Sequence, residues 1–248
     1  MEWRDTGIIL TSRPHGESAA ILEVLTERHG RHLGVVHGGA SRNKAPLLQP
    51  GNQVNLEWRA RLEEHIGSYR VELLRSRMAI LSNRRALAAM GSITALLSFA
   101  LPERMELPGI YTPTLMLADR LLSADDSWIS DYALWELTVL AELGYMLDLT
   151  QCAATGTRQN LVWVSPRSGR AVSAEAGVPY LDRLLPLPAF LLSGDSAGAA
   201  DTLAALKLTG YFWENRLAPA LGARLLPGAR ARFVAMVRKL HGSMDDEL

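Results

Sequence analysis

The chain is short of cysteine, of net charge and of long apolar runs. Its one cysteine, Cys152, excludes an internal disulfide and favours a reducing compartment. The first residues, Met1–Asp5, lack the basic and apolar regions of a secretory signal peptide. The longest candidate membrane span, Ile93–Leu101, is far shorter than the roughly 20 residues that cross a bilayer. These features predict a cytoplasmic protein without a membrane segment.

A net charge of zero conceals an uneven distribution of charge. Residues 1–85 carry 13 lysines and arginines against 9 aspartates and glutamates, a charge of +4; the remainder carries 13 against 17, a charge of −4. Such an asymmetry favours a polyanionic partner for the basic half, with an ordinary solvated surface as the alternative. Apolar residues make up 48% of the chain, so a substantial core is expected and global disorder is excluded.

The first third of the chain contains five runs of strand character, each bounded by glycine, proline, asparagine or charged residues. The runs are Gly7–Ser12, Ala19–Thr26, Arg31–His37, Gln53–Arg61 and Ser68–Leu74. Gly30, which can adopt a positive φ, fits a tight hairpin between the second and third runs. Five strands this short predict a small closed barrel, the OB-fold, whose common role is to hold single-stranded nucleic acid.

Alternation of apolar and polar residues is clearest in the last two runs. The apolar positions are Val54, Leu56 and Trp58 in the fourth run and Tyr69, Val71 and Leu73 in the fifth. Trp58 is therefore interpreted as a core residue, with a base-stacking platform as the alternative. Arg59 and Arg61 share the opposite parity and are expected to project together from the outer face.

The longest connection of the predicted barrel, Gly38–Lys44, follows the third strand. It combines two glycines, a serine and an asparagine with the cations Arg42 and Lys44, and such a set of loop nitrogens and cations can grip a phosphate. The sequence is not that of a P-loop, because no Gly precedes Lys44 and no Ser or Thr follows it. A mobile polar loop is the alternative.

Three histidines, His29, His32 and His37, lie around the second hairpin. No cysteine or carboxylate stands at a matching interval to complete a coordination sphere, so a metal site is not expected. They are interpreted as basic, partly exposed turn residues that gain charge as the pH falls toward about 6.5.

Beyond residue 80 the apolar period changes to that of helices. Helices are predicted at Arg84–Leu101, Thr114–Ser123, Ser130–Leu147, Ala199–Leu217 and Ala229–Leu240, with Pro102 and Pro108 ending the first and Pro113 starting the second. A β-flavoured interruption at about 149–180 holds a hairpin of Leu161–Ser165 and Arg170–Ser173. The predicted class is α+β: an OB-fold at 1–80 and a mainly helical domain at 81–248.

A series of short motifs runs through both predicted domains. In the second domain they are Glu142–Leu149, Cys152–Gly156, Val164–Val172 and Leu185–Leu191; in the first they are Thr26, His29-Gly30-Arg31, Gly38-Gly39, Leu48–Gly51 and Trp58-Arg59. Each motif is modestly specific, but their order along the chain resembles the bacterial DNA repair protein RecO family. The predicted OB-fold and the charge split depend on composition and strand pattern alone, and they agree with this resemblance.

The resemblance implies a recombination mediator that has no enzymatic turnover and needs no cofactor. Members of the family bind single- and double-stranded DNA, anneal complementary strands, associate with RecR and contact the C-terminal tail of the single-strand binding protein. With RecR and RecF they help load RecA onto gapped DNA, a role at the bacterial nucleoid. The cations expected to contact DNA phosphates are Arg13, Arg31, Arg42, Lys44, Arg59, Arg61 and Arg70.

The sequence departs from the family at its zinc site. Many members carry two C-x-x-C pairs in the interruption, whereas here only Cys152 is present and Thr155 stands at the second position of the first pair. Val172 and Glu175 have the spacing of the second pair. One thiolate cannot make a closed tetrahedral site, so no zinc is expected, and Leu161, Trp163 and Val172 are expected to hold the hairpin by apolar contacts.

Two alternative functions stay open at this point. Gly194–Gly198 matches the G-x-S-x-G pattern of serine hydrolases, with His241 as the one histidine after Ser196, but the parallel βα sheet that this motif requires is not predicted. Asp195 or Ser196 is interpreted instead as a helix cap.

The second alternative is a protein adaptor whose barrel binds a partner through an exposed strand edge. A basic cluster at Arg230, Arg232, Arg238 and Lys239 is a further candidate surface for the acidic tail of the single-strand binding protein.

Overall fold

The computed structural model of the chain describes residues 1–194, 197–222 and 224–242. The chain forms two compact units, of which the first is Met1–Ala124 with Pro227–Phe233 and the second is Asp125–Leu226 with the residues from Val234 onward. The first unit contains the strand-rich region and the two helices that follow it. The division at residue 80 made from the sequence stays a prediction.

Five strands of the first unit close into a barrel, in the order β1-β2-β3-β5-β4. Their bounds are β1 Glu2–His15, β2 Ala19–Thr26, β3 Arg31–Val36, β4 Gln53–Arg59 and β5 Ser68–Arg75. Four of the five predicted runs coincide with these strands to within two residues at each end. The predicted α+β class with an OB-fold barrel is therefore confirmed.

Strand β1 is five residues longer at its start than the sequence predicts. Its first half pairs with β4, from Glu2 opposite Arg59 to Ile8 opposite Gln53, and its second half pairs with β2. The sequence Glu2–Thr6 has no clear alternation, so only the pairing with β4, which is distant in sequence, makes it a strand. This double pairing of one long strand closes the barrel.

Strand β4 ends at Arg59, two residues before the predicted end. Both neighbours of β4 stop there, because Arg59 lies opposite Glu2 on one side and Ser68 on the other. Arg61 consequently lies in the connection to β5, where strand alternation no longer sets its direction. The prediction that Arg59 and Arg61 project together from a strand is wrong for Arg61.

The barrel interior is an apolar cluster drawn from all five strands. It contains Ile9, Ala20, Leu22, Val24, Val36, Leu48, Val54, Leu56, Trp58 and Tyr69. Trp58 is 1% exposed, and its indole nitrogen donates to the carbonyl of Ile66 at 3.0 Å. The interpretation of Trp58 as a core residue is confirmed, and its indole is not open to stack on a base.

Alternation in β5 fails after the first residues of the strand. Tyr69 is buried, Val71 is half-buried and Leu73 is 38% exposed, although the sequence predicts that all three face the core. The reason is that β3 pairs with β5 only at Val35 and Ser68. Beyond that pair, no strand among the described residues lies along the edge of β5 that faces away from β4, so Leu73 stays exposed.

Two helices complete the first unit, α1 at Arg84–Ala100 and α2 at Pro108–Arg120. A short 3₁₀ turn at Met78–Ser82 precedes α1, whose first turn is capped by the side chain of Asn83. The predicted start of α2 after Pro113 is wrong. Pro108 occupies the first turn, where an N–H is not needed, and Pro113 lies inside the helix at the loss of one backbone hydrogen bond.

The second unit is mainly helical and includes a small sheet. Its helices are α3 Trp128–Leu140, α4 Ala174–Gly177, α5 Phe190–Ser193, α6 Ala199–Phe212 and α7 Ala218–Ala220, and α8 spans Gly228–Gly242. The sheet has the order β7-β6-β8, with β6 Leu161–Val164, β7 Ala171–Ser173 and β8 Leu185–Pro186. The predicted hairpin is thus present, with a third strand that the sequence did not indicate.

Two predicted helices end early in π-helical turns. The helix predicted to Leu147 becomes irregular at Ala141–Tyr145, where Gly144 has a φ of 86°, and the helix predicted to Leu217 becomes a π turn at Trp213–Leu217. A continuous apolar stripe in the sequence does not indicate where a helix changes from α-type to π-type hydrogen bonding. No helix in the described part of the chain has both the length and the apolar composition needed to cross a bilayer.

Candidate nucleic-acid interface

Two loops meet at one end of the barrel. The connection between β1 and β2 contacts the connection between β3 and β4, because the amide of Ala40 donates to the carbonyl of Ser18 at 3.0 Å. The second connection turns sharply, with the amide of Ser41 donating to Gly38 and the amide of Lys44 to Ser41, both at 3.1 Å. These bonds fix the base of the loop and leave Arg42 and Lys44 exposed.

Five of the seven predicted DNA-binding cations have no ion pair within the described residues. They are Arg13, Arg42, Lys44, Arg61 and Arg70, all exposed. Lys44 and Arg70 line one groove. Arg13 lies near the end of β1, opposite Ile21. The remaining two, Arg31 and Arg59, are held by carboxylates.

Arg31 is a structural residue rather than a surface cation. Its side chain is 14% exposed, its Nε donates to the carbonyl of Leu101 at 2.7 Å, and its guanidinium pairs with Glu23 and Glu103. Glu23 is itself buried and also accepts from the hydroxyl of Ser98 in α1 at 2.8 Å. These contacts anchor β2 and β3 to α1 and the segment after it, and they hold the Arg31 guanidinium between two carboxylates.

The outer face of β1, β4 and β5 carries charges of both signs. Arg59 Nη2 lies 3.1 Å from Glu2 Oε1, and Arg4 Nη2 lies 3.2 Å from Glu57 Oε2. A shallow cleft of about 550 Å³ on this face has three arginines and four carboxylates in its lining. The lining of this cleft therefore carries no excess positive charge.

An aromatic and histidine cluster fills the other end of the barrel, and sequence reasoning missed it. Trp3, Trp58 and Tyr69 lie opposite one another on β1, β4 and β5. The imidazole of His29 stacks on Trp3 with ring centroids 4.0 Å apart, and Trp3 stacks on Trp58 at 5.6 Å. The aromatic residue at position 3 was the available signal, but Trp3 lies outside the predicted first strand.

His32 and Asp5 are the buried polar members of this end. His32 is 3% exposed; its Nδ1 lies 2.9 Å from the carbonyl of Leu33 and 3.0 Å from the hydroxyl of Tyr69. Burial lowers the pKa of His32 to about 4. The interpretation of His32 as a partly exposed, basic turn residue is wrong, because it points into the barrel from β3.

The carboxylate of Asp5 organises the β2–β3 turn. Its oxygens accept from the amides of Thr6 and Arg28, and Oδ2 lies 2.8 Å from His29 Nδ1. Burial opposes ionisation, but these hydrogen bonds outweigh it and lower the pKa of Asp5. His29 is thus held as an internal partner of Asp5, which accounts for its place beside Trp3.

The segment after α1 holds the connection between β4 and β5. The guanidinium of Arg104 donates to the carbonyls of Glu63, Glu64 and His65, the last at 2.9 Å, and the amide of Arg104 donates to Arg31 at 2.8 Å. Arg61 lies in this same connection. Arg104 therefore links the loop that carries Arg61 to strand β3.

The single cysteine lies in a turn that keeps polar partners around its sulfur. The amide of Ser173 donates to Cys152 Sγ at 3.3 Å, and the amide of Gly156 donates to the carbonyl of Cys152 at 2.9 Å. Burial alone would raise the pKa of Cys152, but hydrogen bonds from Thr155, Ser173 and Ala154 lower it to about 6. Val172, at a position that matches the second pair, is buried.

Apolar contacts hold the hairpin beside this turn. Leu161 and Val172 are buried, Trp163 lies opposite Val172, and Gly177 packs closely on the Trp163 ring. Among the described residues no group of three or more His, Cys, Asp or Glu side chains could hold a metal ion. The expectation that this chain binds no zinc stays a prediction.

Two of the other candidate motifs are only partly described. Asp195 and Ser196 of the G-x-S-x-G pattern and the side chain of His241 lie outside the described residues. In the last helix Arg230 is buried, whereas Arg232, Arg238 and Lys239 are exposed. The predicted basic cluster is therefore reduced to the three exposed cations.

Comparison with known proteins identifies the family. The family model "Recombination protein O N terminal" matches residues 1–77 and the model "Recombination protein O C terminal" matches residues 81–225. Three similar proteins carry the name DNA repair protein RecO. The protein of Ruegeria sp. (strain TM1040) is 52% identical over 97% of this chain and 100% of its own length. The protein of Dinoroseobacter shibae is 49% identical over 96% of this chain and 99% of its own length. The protein of Roseobacter denitrificans is 52% identical over 94% of this chain and 97% of its own length.

Both family models fit the architecture, since the first covers the strands of the barrel and the second most of the helices. The chain therefore belongs to the Recombination protein O family of DNA repair proteins.

Proposed function

We propose that this chain is a non-enzymatic recombination mediator that binds single- and double-stranded DNA and anneals complementary strands. The observation that supports this most is a set of exposed cations without ion-pair partners among the described residues, carried by the loops and strands of an OB-fold barrel in a family of DNA repair proteins. The surface cations neutralise backbone phosphates and release counterions, so binding is independent of sequence and weakens steeply with salt. Annealing follows when two neutralised strands are held close with their bases free to pair.

The cations divide into contributing and structural groups. Arg13, Arg42, Lys44, Arg61 and Arg70 are proposed to contact DNA, because they are exposed and have no carboxylate partner within the described residues. Arg31 and Arg59 are proposed to serve the fold, because Glu2, Glu23 and Glu103 hold them in ion pairs.

The test is a salt titration of DNA binding with a variant of the β3–β4 loop. Fluorescence anisotropy with a short single-stranded oligonucleotide gives log Kobs against log salt. Replacing Arg42 and Lys44 together by Ala should make the slope shallower by about 1.4, because each phosphate of a single strand that is no longer neutralised removes about 0.7. The matched control, Arg158→Ala with Lys207→Ala, removes two exposed cations from the second unit and should leave the slope unchanged. An unchanged slope in the loop variant would remove this loop from the interface.

The proposed partners follow from the family. With RecR and RecF the protein would help load RecA onto gaps coated by single-strand binding protein, whose acidic C-terminal tail it would contact. This role places it at the bacterial nucleoid. The test is a RecA-loading assay on coated, gapped DNA, in which omission of this chain should delay RecA assembly.

A protein adaptor with weak DNA affinity is the second candidate. The observation that favours it is the mixed charge of the outer face of β1, β4 and β5, where Glu2 and Glu57 offset Arg59 and Arg4. An adaptor predicts weak binding at low salt and little change on adding salt. Anisotropy at two salt concentrations separates the two functions.

A further inference from the structure

Strand β5 has an open edge. It pairs with β4 along its length, from Ser68 opposite Arg59 to Arg75 opposite Gln53, but it pairs with β3 only at Ser68. In the described part of the chain, β4 is thus the one strand partner of β5 beyond that point. An open edge presents unpaired backbone donors and acceptors to any extended segment that reaches it.

A groove runs beside this edge. It encloses about 350 Å³ between the β5 residues Tyr69–Leu73 on one side and the end of β3 with Lys44, Leu47 and Leu48 on the other. The end of β3 is part of its lining, and β3 turns there, with the amide of Gly39 donating to the carbonyl of Val36 at 3.1 Å. The space therefore lies next to the open edge of β5 and the end of β3.

The lining of the groove is apolar with a cationic rim. Leu73 is 38% and Leu47 is 40% exposed, whereas Leu48 and Val36 form a buried floor. Lys44 and Arg70 lie at the rim with one carboxylate, Glu72, so the lining carries an excess of one positive charge. Lys44 is held in place by a hydrogen bond to the carbonyl of His37 at 3.1 Å.

We infer that this groove binds an extended segment of a partner protein, which adds to the barrel as a strand beside β5. The backbone edge matches a peptide, whose own amides repeat every two residues, and it does not match the spacing of a sugar-phosphate chain. Alternate side chains of the segment enter the groove and are apolar, to contact Leu47 and Leu73. The residues between them include carboxylates, to meet Lys44 and Arg70. The groove shares Arg70 and Glu72 with the cleft on the outer face, but its apolar contacts Leu47 and Leu73 do not line that cleft.

The probe is a synthetic peptide of alternating valine or leucine and glutamate, about six residues long to match the usual length of a strand, with blocked ends and a fluorescent label. Its binding is measured by anisotropy on the full chain, and its position by amide hydrogen exchange. The expected result is saturable binding with slower exchange at Arg70–Leu74. A peptide N-methylated at every second amide cannot pair along β5, and it should bind at least about tenfold more weakly, because each net hydrogen bond contributes about 1 kcal/mol.

Protein variants check the side-chain part of the inference. Leu73→Asp should weaken binding of the peptide by about tenfold or more, since it removes an apolar contact and places a carboxylate against the glutamates. The matched control, Met116→Asp, replaces an exposed apolar residue of α2 and should bind like the parent chain. The N-methylated peptide needs no protein variant, so a folding defect in Leu73→Asp leaves the test intact.

Three results would overturn the inference. The first is that the peptide does not bind at concentrations up to millimolar. The second is that the N-methylated peptide binds as tightly as the unmodified peptide. The third is that an oligothymidylate competes with the peptide and protects the same β5 amides from exchange. The last result would assign the groove to nucleic acid instead. The first two results do not depend on DNA binding, so they test this inference separately from the proposed function, although the groove shares Lys44 and Arg70 with the proposed DNA contacts.

Discussion

Single residues divide into those whose role the sequence could predict and those whose role depends on a distant partner. Trp58 was predicted correctly because its strand alternates over several residues. The burial of His32 and the ion pairs of Arg31 could not be predicted, since their partners are far along the chain, such as the hydroxyl of Tyr69 for His32 and the backbone carbonyl of Leu101 for Arg31. Local spacing carries no information on such partners. Charge counts therefore predicted a basic half but not which cations are neutralised within it.

The buried His32 predicts a specific loss of stability in mild acid. Its pKa of about 4 in the fold is below the ordinary value of 6.5, so the unfolded chain binds more protons between these values. The contribution of the neutral His32 to the free energy of unfolding is complete above pH 6.5. It is lost as the pH falls toward 4, by up to about 3 kcal/mol. Urea unfolding at several pH values measures the effect.

The matched variant is His32→Gln, which keeps a polar group near Tyr69 but does not titrate. Its unfolding free energy should be lower than that of the parent at neutral pH, and it should change less between the two pKa values of 6.5 and about 4. A variant as sensitive to acid as the parent would show that another group causes the loss in this window.

Whole elements were predicted well where one strand or helix carries its own pattern. Strands β2 to β4 and the cores of α1, α3 and α6 follow from alternation or helical periodicity. The first residues of β1 and the exposure of Leu73 in β5 could not be predicted, because neighbouring strands decide both. β1 gains a partner in β4, whereas β5 keeps β4 but pairs with β3 at Ser68 alone, because β3 turns away after Val36.

The contact between the β2–β3 turn and the segment after α1 gives a prediction at this scale. Gly30 has a φ of 63°, and a Cβ there would lie 1.9 Å from the carbonyl oxygen of Met105. Gly30→Ala should therefore lower the free energy of unfolding by about 3 kcal/mol or more, from strain and a backbone clash together. Chemical denaturation measures the change.

Gly16 is the matched control for this variant. It has a similar φ of 59° in the β1–β2 turn, but a methyl group there would meet nothing within 4 Å among the described residues. Gly16→Ala should cost only the backbone strain of about 1 kcal/mol. If both variants were destabilised equally, the packing of Met105 on the turn would contribute nothing.

At the scale of the whole molecule, the sequence predicts more DNA-binding cations than the structure leaves without an ion pair among the described residues. Seven cations were predicted, but ion pairs with carboxylates hold Arg31 and Arg59. The number of contacts can be counted, because each phosphate neutralised on a single strand contributes about 0.7 to the salt slope. The salt slope therefore measures how many of the seven predicted cations contact DNA.

The parent chain should show a slope of about −3.5 on single-stranded DNA if the five unpaired cations bind, against about −5 if all seven do. Arg59→Ala should leave the slope unchanged, because Glu2 already neutralises that guanidinium. Arg31→Ala should also leave it unchanged while lowering the free energy of unfolding, since Glu23 then stays buried without its partner. A slope near about −5 that becomes shallower in both variants would mean that DNA displaces these carboxylates, and that the ion pairs belong to the free protein alone.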